Sequence, residues 1–286
     1  MPDFGRDASD AAVYIGGVTL SRHLPLDGAM GTELVRRYAA PANQICRWHL
    51  EHPEAVRNVW KASVAVGAQA ITTNTLTAPF ALDGDMLVRR SVALAREVAA
   101  QRPVFVSLAP LILEPAVGWQ RLADAAAAAG GDILLLETAT DLELLAAVVR
   151  EVRKAASALP IVASFVADPA ICPMDDLQVA TARLAGAGVA AIGINCVAPD
   201  RGTPVLRALA AALPATFSLV VRFSAGTPVY DGVSSTYPWR PGPWADAVKN
   251  SILPLPNVVA GGCCGAGSDF IAALARRLVT SAGDQT

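Results

Sequence analysis

Apolar runs recur at regular intervals along the chain, and each is bounded by turn residues and followed by a segment with helical periodicity. There are eight such runs, and most of them are nearly continuous in apolar residues, as expected for strands that helices cover on both faces. The predicted strands are residues 24–28, 69–75, 103–109, 132–138, 160–166, 191–197, 217–223 and 257–263. The pattern therefore predicts a parallel sheet whose strands are joined by helices.

The intervening segments carry apolar residues every three or four positions, which predicts amphipathic helices. The first of them has Pro53 near its start and Gly67 at its end, the usual asymmetry of helix termini. The predicted helices are residues 53–67, 85–100, 118–130, 141–157, 177–188, 203–213, 241–252 and 268–281.

Eight strand-helix units in succession are typical of a (β/α)8 barrel, so the sequence predicts an α/β fold of the TIM-barrel type. A doubly wound open sheet is the main alternative. It usually has fewer strands, and it needs a glycine-rich turn whose spacing Gly28 and Gly31 do not provide. We expect residues 19–282 to form a single barrel domain and residues 1–18 to be a flexible N-terminal extension.

The composition of the chain argues against a membrane-spanning protein and against a nucleic-acid-binding protein. The chain is 53% hydrophobic with a mean hydropathy of +0.41, but much of the excess is alanine and every apolar run ends well short of the ~18 residues of a membrane span. A net charge of -2, with no basic cluster, argues against nucleic acid as a partner. Five cysteines and no signal-peptide pattern favour reduced thiols and a cytoplasmic location.

In a barrel, the chemistry comes from residues at the carboxyl ends of the strands. Polar and sulfur-containing side chains stand at several of these predicted ends, far apart in sequence. They are Asp27, Thr73, Asn74, Glu137, Asn195, Cys196, Cys263 and Cys264. We expect them to converge on one mouth of the barrel.

The motif GGCCG around Cys263 and Cys264 needs an explanation, because adjacent cysteines rarely bond to each other. Glycines give such a turn backbone freedom. Together with Cys196, the pair would offer three thiolates to Zn²⁺, which in catalytic sites keeps a fourth position for water or substrate. A redox-active pair is the alternative. Cys46 and Cys172 are interpreted as small buried apolar residues.

Two carboxylates are candidates for binding a charged group. Glu137 ends an otherwise apolar strand, where burial without a partner is costly, so an amine or metal partner is expected. Asp27 either joins it in holding an ammonium group or only starts a turn. Thr73 and Asn74 fit a carboxylate-binding role and equally the β-propensity of their strand. Three histidines show no metal-binding spacing and are interpreted as structural: His23, His49 and His52.

The segments LDGAMGTEL, EHPEAVRNVWKASVAVGAQAITTNT, DILLLET, GINCVAP and GGCCG follow one another in this order. With them the chain resembles the homocysteine S-methyltransferase family from residue 24 to about residue 280. The resemblance implies a (β/α)8 barrel with a single zinc ion bound by Cys196, Cys263 and Cys264.

By the same resemblance, Glu137 and Asp27 would bind the amino group of homocysteine, with Gly28, Thr73 and Asn74 around the amino acid. The zinc-bound thiolate of the substrate would attack a methyl group of the donor and yield methionine. No further catalytic side chain is implied, because positioning and desolvation carry the transfer.

The chain departs from the family at its rim. The connection SLAPLILEPAVGW after the third strand is short, and VRFSAGTPVYDG after the seventh keeps Tyr230 and Asp231 but lacks the usual asparagine. GGCCG is followed by AGSDFI, without the usual threonine and proline. These positions meet the methyl donor, so the donor is open, and so is a related thiol or selenol as acceptor.

Three hypotheses follow from this. We expect a small sulfonium donor, S-methylmethionine or S-adenosylmethionine, since the sequence shows no folate or cobalamin module. The alternative is a homocysteine-activating zinc subunit that takes the methyl group from a separate corrinoid or folate carrier protein. The third is a thiol-binding relative without turnover.

Overall fold

The computed structural model describes residues 12–156, 159–168, 171, 177–230 and 235–283. Its strands are β1 (Ala12–Ile15), β2 (Val18–Ser21), β3 (Ile71–Thr72), β4 (Val104–Leu108), β5 (Ile133–Ala139), β6 (Ile161–Val166), β7 (Ala191–Val197), β8 (Ser218–Phe223), β9 (Val229–Tyr230), β10 (Ser235–Thr236) and β11 (Val258–Gly262). Its helices are α1 (Gly31–Tyr38), α2 (Trp48–Glu51), α3 (Pro53–Ala65), α4 (Gly84–Ala99), α5 (Trp119–Ala128), α6 (Leu142–Val152), α7 (Leu177–Gly186), α8 (Pro199–Ala212), α9 (Pro241–Ile252) and α10 (Ser268–Gly283).

Seven parallel strands form one sheet in the order β3-β4-β5-β6-β7-β8-β11. Residues 24–28, predicted as the first strand, bond to both edges of this sheet. The Leu26 N–H donates to the Ala260 carbonyl of β11 at 2.7 Å, and the Gln69 N–H, just before β3, donates to the Pro25 carbonyl at 2.9 Å. The predicted (β/α)8 barrel of the TIM type is therefore confirmed, with residues 24–28 as its closing segment.

Alternate side chains of each strand point into the barrel or out toward the helices. The outward side chains join the large core under the helices, and the inward ones near the strand starts form a separate apolar cluster. Its strand and closing-segment members are Leu26, Ala70, Phe105, Ile133, Leu135, Val162, Ala191, Val220 and Val259. The lower half of the barrel interior is thus packed and dry.

A hairpin of β1 and β2 covers the end of the barrel where the strands begin. Val13, Ile15 and Leu20 are buried in the inner apolar cluster, and the Ser218 hydroxyl at the start of β8 donates to the Tyr14 carbonyl at 2.6 Å. The expected boundary between residues 18 and 19 falls inside this hairpin. Residues 12–18 therefore pack with the barrel rather than forming an extension, while residues 1–11 lie outside the described part.

The predicted helices correspond to α3 to α10, but several short elements escaped the sequence analysis. Before α3, the structure has α1, a 3₁₀ helix (Ala42–Arg47) and α2. On the rim, β9 pairs with β10. Most of these elements are too short to show a hydrophobic period. Two residues considered above, Cys172 and Asp231, lie outside the described residues. None of the described helices is long and apolar enough to cross a membrane.

The hairpin is expected to contribute to stability through its inward side chains. Ile15→Ala should lower the free energy of unfolding by about 2–5 kcal/mol, because it leaves a cavity in a packed core. Tyr14→Ala is the matched control on the same strand, since the Tyr14 side chain is 60% exposed. Denaturant titration of both variants measures the difference, and equal losses would contradict the packing of the hairpin.

His49 of α2 is buried, in agreement with a structural role. Burial lowers its pKa from 6.5 to about 4. Between these values the unfolded chain binds a proton at this position and the folded chain does not, so stability falls as the pH falls through this window.

Replacing His49 should therefore reduce the acid sensitivity of the fold. Between pH 7 and pH 4.5, wild type should lose about 2.5 kcal/mol more unfolding free energy than His49→Gln, because the variant has no imidazole to protonate. Urea titrations of both proteins at the two pH values test this. The same loss in both proteins would show that folding does not lower the pKa of His49.

Candidate metal and acceptor site

A layer of polar side chains lies directly above the apolar cluster in the barrel interior. Each member stands two residues, or four in the case of Asn195, after an inward position of the apolar cluster, so it points inward as well. The buried members of this layer are Thr72, Ser107, Glu137, Ser164, Asn195 and Arg222. The mouth of the barrel is thus lined by charged and hydrogen-bonding groups, and of these six residues the sequence analysis had named Glu137 and Asn195.

Cys196 reaches this mouth because β7 is irregular at its end. The pairing of β7 with β8 shifts register between Asn195 and Val197, and Cys196 has a φ of 56°. Such an irregularity re-aims a side chain that would otherwise follow the alternation of the strand. Asn195 and Cys196, although adjacent, therefore both contribute to the site.

The glycines of GGCCG act through close contact more than through unusual torsion angles. A Cβ atom on Gly262 would lie 2.5 Å from the Ala266 carbonyl oxygen and 3.1 Å from the Cα of Gly28. Gly265 has a φ of 76°, and a Cβ there would lie 2.3 Å from the Tyr237 ring. The turn thus lets the closing segment and Tyr237 approach the two cysteines.

The three cysteines predicted as metal ligands come together. The Sγ atoms of Cys196, Cys263 and Cys264 all lie within 4.8 Å of one another, and the Sγ atoms of Cys196 and Cys263 are 3.3 Å apart. Tetrahedral thiolate ligands of Zn²⁺, at about 2.3 Å from the metal, would be about 3.8 Å apart. The donor set and its spacing fit a zinc ion.

Polar neighbours hold Cys196 in place. The Asn195 side-chain N–H donates to Cys196 Sγ at 3.2 Å and to the Thr138 hydroxyl at 2.9 Å. Its carbonyl oxygen accepts hydrogen bonds from the Ser164 hydroxyl at 2.7 Å and from the Thr138 N–H at 3.1 Å. Residues that orient metal ligands in this way support the affinity of a metal site. Asn195 is therefore a positioning residue for Cys196.

Negative charge in the cluster concentrates on Cys263. Hydrogen bonds from the Cys196 and Cys264 thiols lower the pKa of Cys263 well below its usual value. The same interaction raises the pKa of Cys196. Thiolate is the metal-binding form of cysteine, so the arrangement favours a cation among the three sulfurs.

Asp27 is not open to a substrate in the way the sequence suggested. Its carboxylate accepts hydrogen bonds from the Thr72 N–H at 2.6 Å, from the Thr72 hydroxyl at 2.8 Å and from Arg222 Nη1 at 2.8 Å. Asp27 and Arg222 form an ion pair whose side chains are 3% and 6% exposed. The expected ammonium partner of Asp27 is thus replaced by an arginine of the chain itself.

Glu137 has fewer hydrogen-bond and ion-pair partners than Asp27 among the described residues. The Ser107 hydroxyl donates to its Oε1 at 2.5 Å, and no ion-pair partner lies within 4.0 Å of it among the described residues. Burial raises the pKa of Glu137 to about 7, while the nearby Arg222 guanidinium acts in the opposite direction. A positively charged partner, such as an ammonium group, therefore fits beside the Glu137 carboxylate.

The other residues that were predicted to surround the methyl acceptor differ in the contacts that they make. The Arg222 Nη2 group donates to the Gly28 carbonyl at 3.4 Å, so Gly28 belongs to the same cluster as Asp27. The Thr73 hydroxyl bonds to the Thr75 hydroxyl at 2.6 Å and accepts from the Ser107 N–H.

Asn74 faces the helix layer. Its amide bonds to the Ile45 carbonyl at 2.9 Å and to the Ser91 hydroxyl of α4 at 2.8 Å. The structure therefore groups Gly28 with the charged residues of the mouth and gives Asn74 a structural role between β3 and the helices.

Arg222, Ser107 and Tyr237 were missed by the sequence analysis. Arg222 and Ser107 are the polar exceptions inside the apolar runs SLVVRF and VFVSL, at inward positions of the strands. A single polar residue at an inward position of an apolar run was therefore the sequence signal that could have identified both site residues. Burial and the Cys264 sulfur raise the pKa of the Tyr237 hydroxyl, which is hydrogen-bonded to this sulfur.

The fold and the cysteine cluster agree with the comparison to known families. The sequence profile described as homocysteine S-methyltransferase matches residues 24–278. The chain belongs to the homocysteine S-methyltransferase family, and with this family it is an enzyme of the methyltransferase class.

Particular relatives add detail. Methionine synthase of Mycobacterium tuberculosis is 28% identical over 279 residues, which cover 84% of this chain and 23% of that relative. The metallated form of the homocysteine methyltransferase MmuM from Escherichia coli has a TM-score of 0.71 and 26% identity, and the match covers 89% of this chain and 96% of MmuM. Dihydrodipicolinate synthase of Agrobacterium tumefaciens, at 18% identity and a TM-score of 0.52, shows the shared fold alone.

The metal-ligand assignment predicts distinct effects for the cysteines. Cys196→Ala, Cys263→Ala and Cys264→Ala should each abolish stoichiometric zinc binding after dialysis against a chelator, because each removes one of three thiolates. Cys46→Ala is the control, since this cysteine is buried outside the cluster. Metal analysis of the purified proteins is the measurement. Retention of zinc in all three cluster variants would disprove the assignment.

Proposed function

We propose that the protein is a zinc-dependent S-methyltransferase that transfers a methyl group to the sulfur of homocysteine and forms methionine. The observation that carries the proposal is the convergence of Cys196, Cys263 and Cys264, whose sulfurs lie within 4.8 Å of one another at the mouth of the barrel. Membership in the homocysteine S-methyltransferase family supports the choice of acceptor.

Zn²⁺ bound by the three cysteines would stabilise the thiolate form of the acceptor near neutral pH. The chain itself supplies the geometry. Asn195 holds Cys196 by a hydrogen bond to its sulfur. The packed lower half of the barrel closes the site from below and keeps water from entering there. No general base is required for the transfer once the acceptor sulfur is deprotonated.

The amino acid part of the acceptor would bind beside the sulfur cluster. Among the described residues, Glu137 has no ion-pair partner there, and we assign it the ammonium group. Ser107 orients this carboxylate through its hydroxyl. Gly28, whose carbonyl accepts a hydrogen bond from Arg222, and Thr73, whose hydroxyl accepts one from the Ser107 N–H, are assigned to the surroundings of the amino acid, as the family resemblance implied.

The donor we propose is a small sulfonium compound, S-methylmethionine or S-adenosylmethionine. In the transfer, the bond between the methyl carbon and the donor sulfur breaks as the bond to the acceptor sulfur forms, and the sulfonium leaves as a neutral thioether. The match to the Escherichia coli homocysteine methyltransferase MmuM covers 96% of that chain, which supports homocysteine as the acceptor. A cytoplasmic location is part of the proposal, since Cys46 and the three cluster cysteines are free.

A separate methyl-carrier protein is the second candidate for the donor. The chain matches only 23% of the length of the methionine synthase from Mycobacterium tuberculosis, so that relative contains much more protein than a domain of this kind. The connections at the mouth also expose large apolar side chains: Leu82, Leu111, Leu113, Val229 and Tyr230. A docked corrinoid or folate carrier would cover such groups.

A donor panel separates the two candidates. Reduced, zinc-loaded protein is incubated with homocysteine and, in turn, S-methylmethionine, S-adenosylmethionine, betaine, methylfolate and methylcobalamin, and methionine is quantified. We expect methionine with one of the sulfonium donors and none with Cys263→Ala. Methionine only in the presence of a methylated carrier would support the second candidate. No methionine under either condition would disprove the function.

A further inference from the structure

Arg222 is a buried cation for which the proposed reaction has so far provided no role. It lies on β8, inside the barrel, in the polar layer that also contains Glu137. Its charge is balanced by carboxylates: burial lowers its pKa, but Asp27 and Glu137 raise it more. The guanidinium is therefore permanently charged at the floor of the acceptor site.

The contacts of Arg222 fix its position and leave two of its N–H groups without a partner among the described residues. Nη1 donates to Asp27 and to the Thr72 hydroxyl, both at 2.8 Å, and Nη2 donates to the Gly28 carbonyl at 3.4 Å. A guanidinium has five N–H groups, so after these three bonds two remain that the described residues do not engage. They include the Nε–H, and Nε and Nη2 form the edge on which arginine binds a carboxylate with two parallel hydrogen bonds.

Glu137 and Arg222 face the same space without joining. Each shifts the pKa of the other, yet they do not form an ion pair within 4.0 Å, because Arg222 is held by Asp27. A buried pair such as Asp27 and Arg222 is weak support for stability, since desolvation offsets much of its attraction. Retention of this charge is better explained by a ligand that needs it.

We propose that Arg222 binds the carboxylate of the acceptor and is a specificity-determining residue of the transfer. Together with Glu137, it forms a pair of opposite charges that matches an α-amino acid, while Asp27 and Thr72 hold the guanidinium in place. The inference rests on the proposed function, since it assigns the two charged groups of homocysteine. Asp27 thus acts as a positioning residue rather than as the ammonium ligand that the sequence suggested.

Acceptor analogues test the proposal by binding rather than by turnover. The affinities of homocysteine, 4-mercaptobutanoate, which lacks the amine, and 3-aminopropane-1-thiol, which lacks the carboxylate, are measured calorimetrically on reduced, zinc-loaded protein. Arg222→Met should weaken homocysteine and 4-mercaptobutanoate by about 10- to 100-fold and leave 3-aminopropane-1-thiol within about 3-fold. Glu137→Gln should show the reverse selectivity, weakening the two amines and sparing 4-mercaptobutanoate.

Three further variants distinguish the loss of the carboxylate contact from a general disturbance of the structure. Arg222→Met strands the buried Asp27 carboxylate, so the double variant Asp27→Asn/Arg222→Met is measured as well and should show the same selectivity. Arg222→Lys keeps the charge but not the planar fork, and should bind the two carboxylates with intermediate affinity. Arg277→Met removes an arginine that pairs with Asp246 on the outer helices and should change none of the three affinities.

The outcomes are distinct. Equal weakening of all three thiols by Arg222→Met and by the double variant, or no weakening, would overturn the role of Arg222 while homocysteine binding by wild type upheld the proposed function. If wild type binds 4-mercaptobutanoate in an Arg222-dependent way but neither binds nor methylates homocysteine, the choice of homocysteine fails and the carboxylate role stands. If no thiol binds to the zinc-loaded protein, both proposals fail.

Discussion

Closure of the barrel by residues 24–28 is the constraint on which the site depends. This segment bonds to β11 on one side and to Gln69, just before β3, on the other. It lies so close to β11 that a Cβ atom on Gly261 would be 2.8 Å from the Leu26 Cβ and 2.9 Å from the Asp27 carbonyl oxygen. Because of this contact, Asp27 and Gly28 stand beside the turn that bears Cys263 and Cys264. A side chain at Gly261 would push the first and last units of the barrel apart and with them the two halves of the site.

The strands were predictable because a parallel sheet buried on both faces reads as nearly continuous apolar runs. The cysteine cluster was predictable because the carboxyl ends of barrel strands meet at one mouth, so residues distant in sequence are brought together by the fold class alone. The hairpin of β1 and β2 was not, since four-residue strands with no helical partner show little pattern. Its role depends on Val13 and Ile15 fitting a cavity that only the finished barrel creates.

The role of Asp27 was also beyond sequence reasoning. A carboxylate before a glycine is compatible with a turn, a ligand or an ion pair, and the partner that decides among them, Arg222, is 195 positions away. The polar contacts of Asn74 likewise depend on helix packing that periodicity does not reveal. Local patterns thus indicated where polar groups collect, and long-range pairing determined which of them are already engaged by other residues of the chain.

The irregular ends of β5 and β7 have a consequence for the evolution of the chain. Thr138 and Cys196 adopt left-handed torsion angles, with φ of 66° and 56°, and each such residue costs about 1–3 kcal/mol. Two strands that flank β6 therefore hold strain at the point where the Cys196 sulfur is aimed into the cysteine cluster. Glycine at Cys196 would relieve this strain and remove the sulfur in one step, so loss of a cluster cysteine and gain of stability would be favoured by the same substitution.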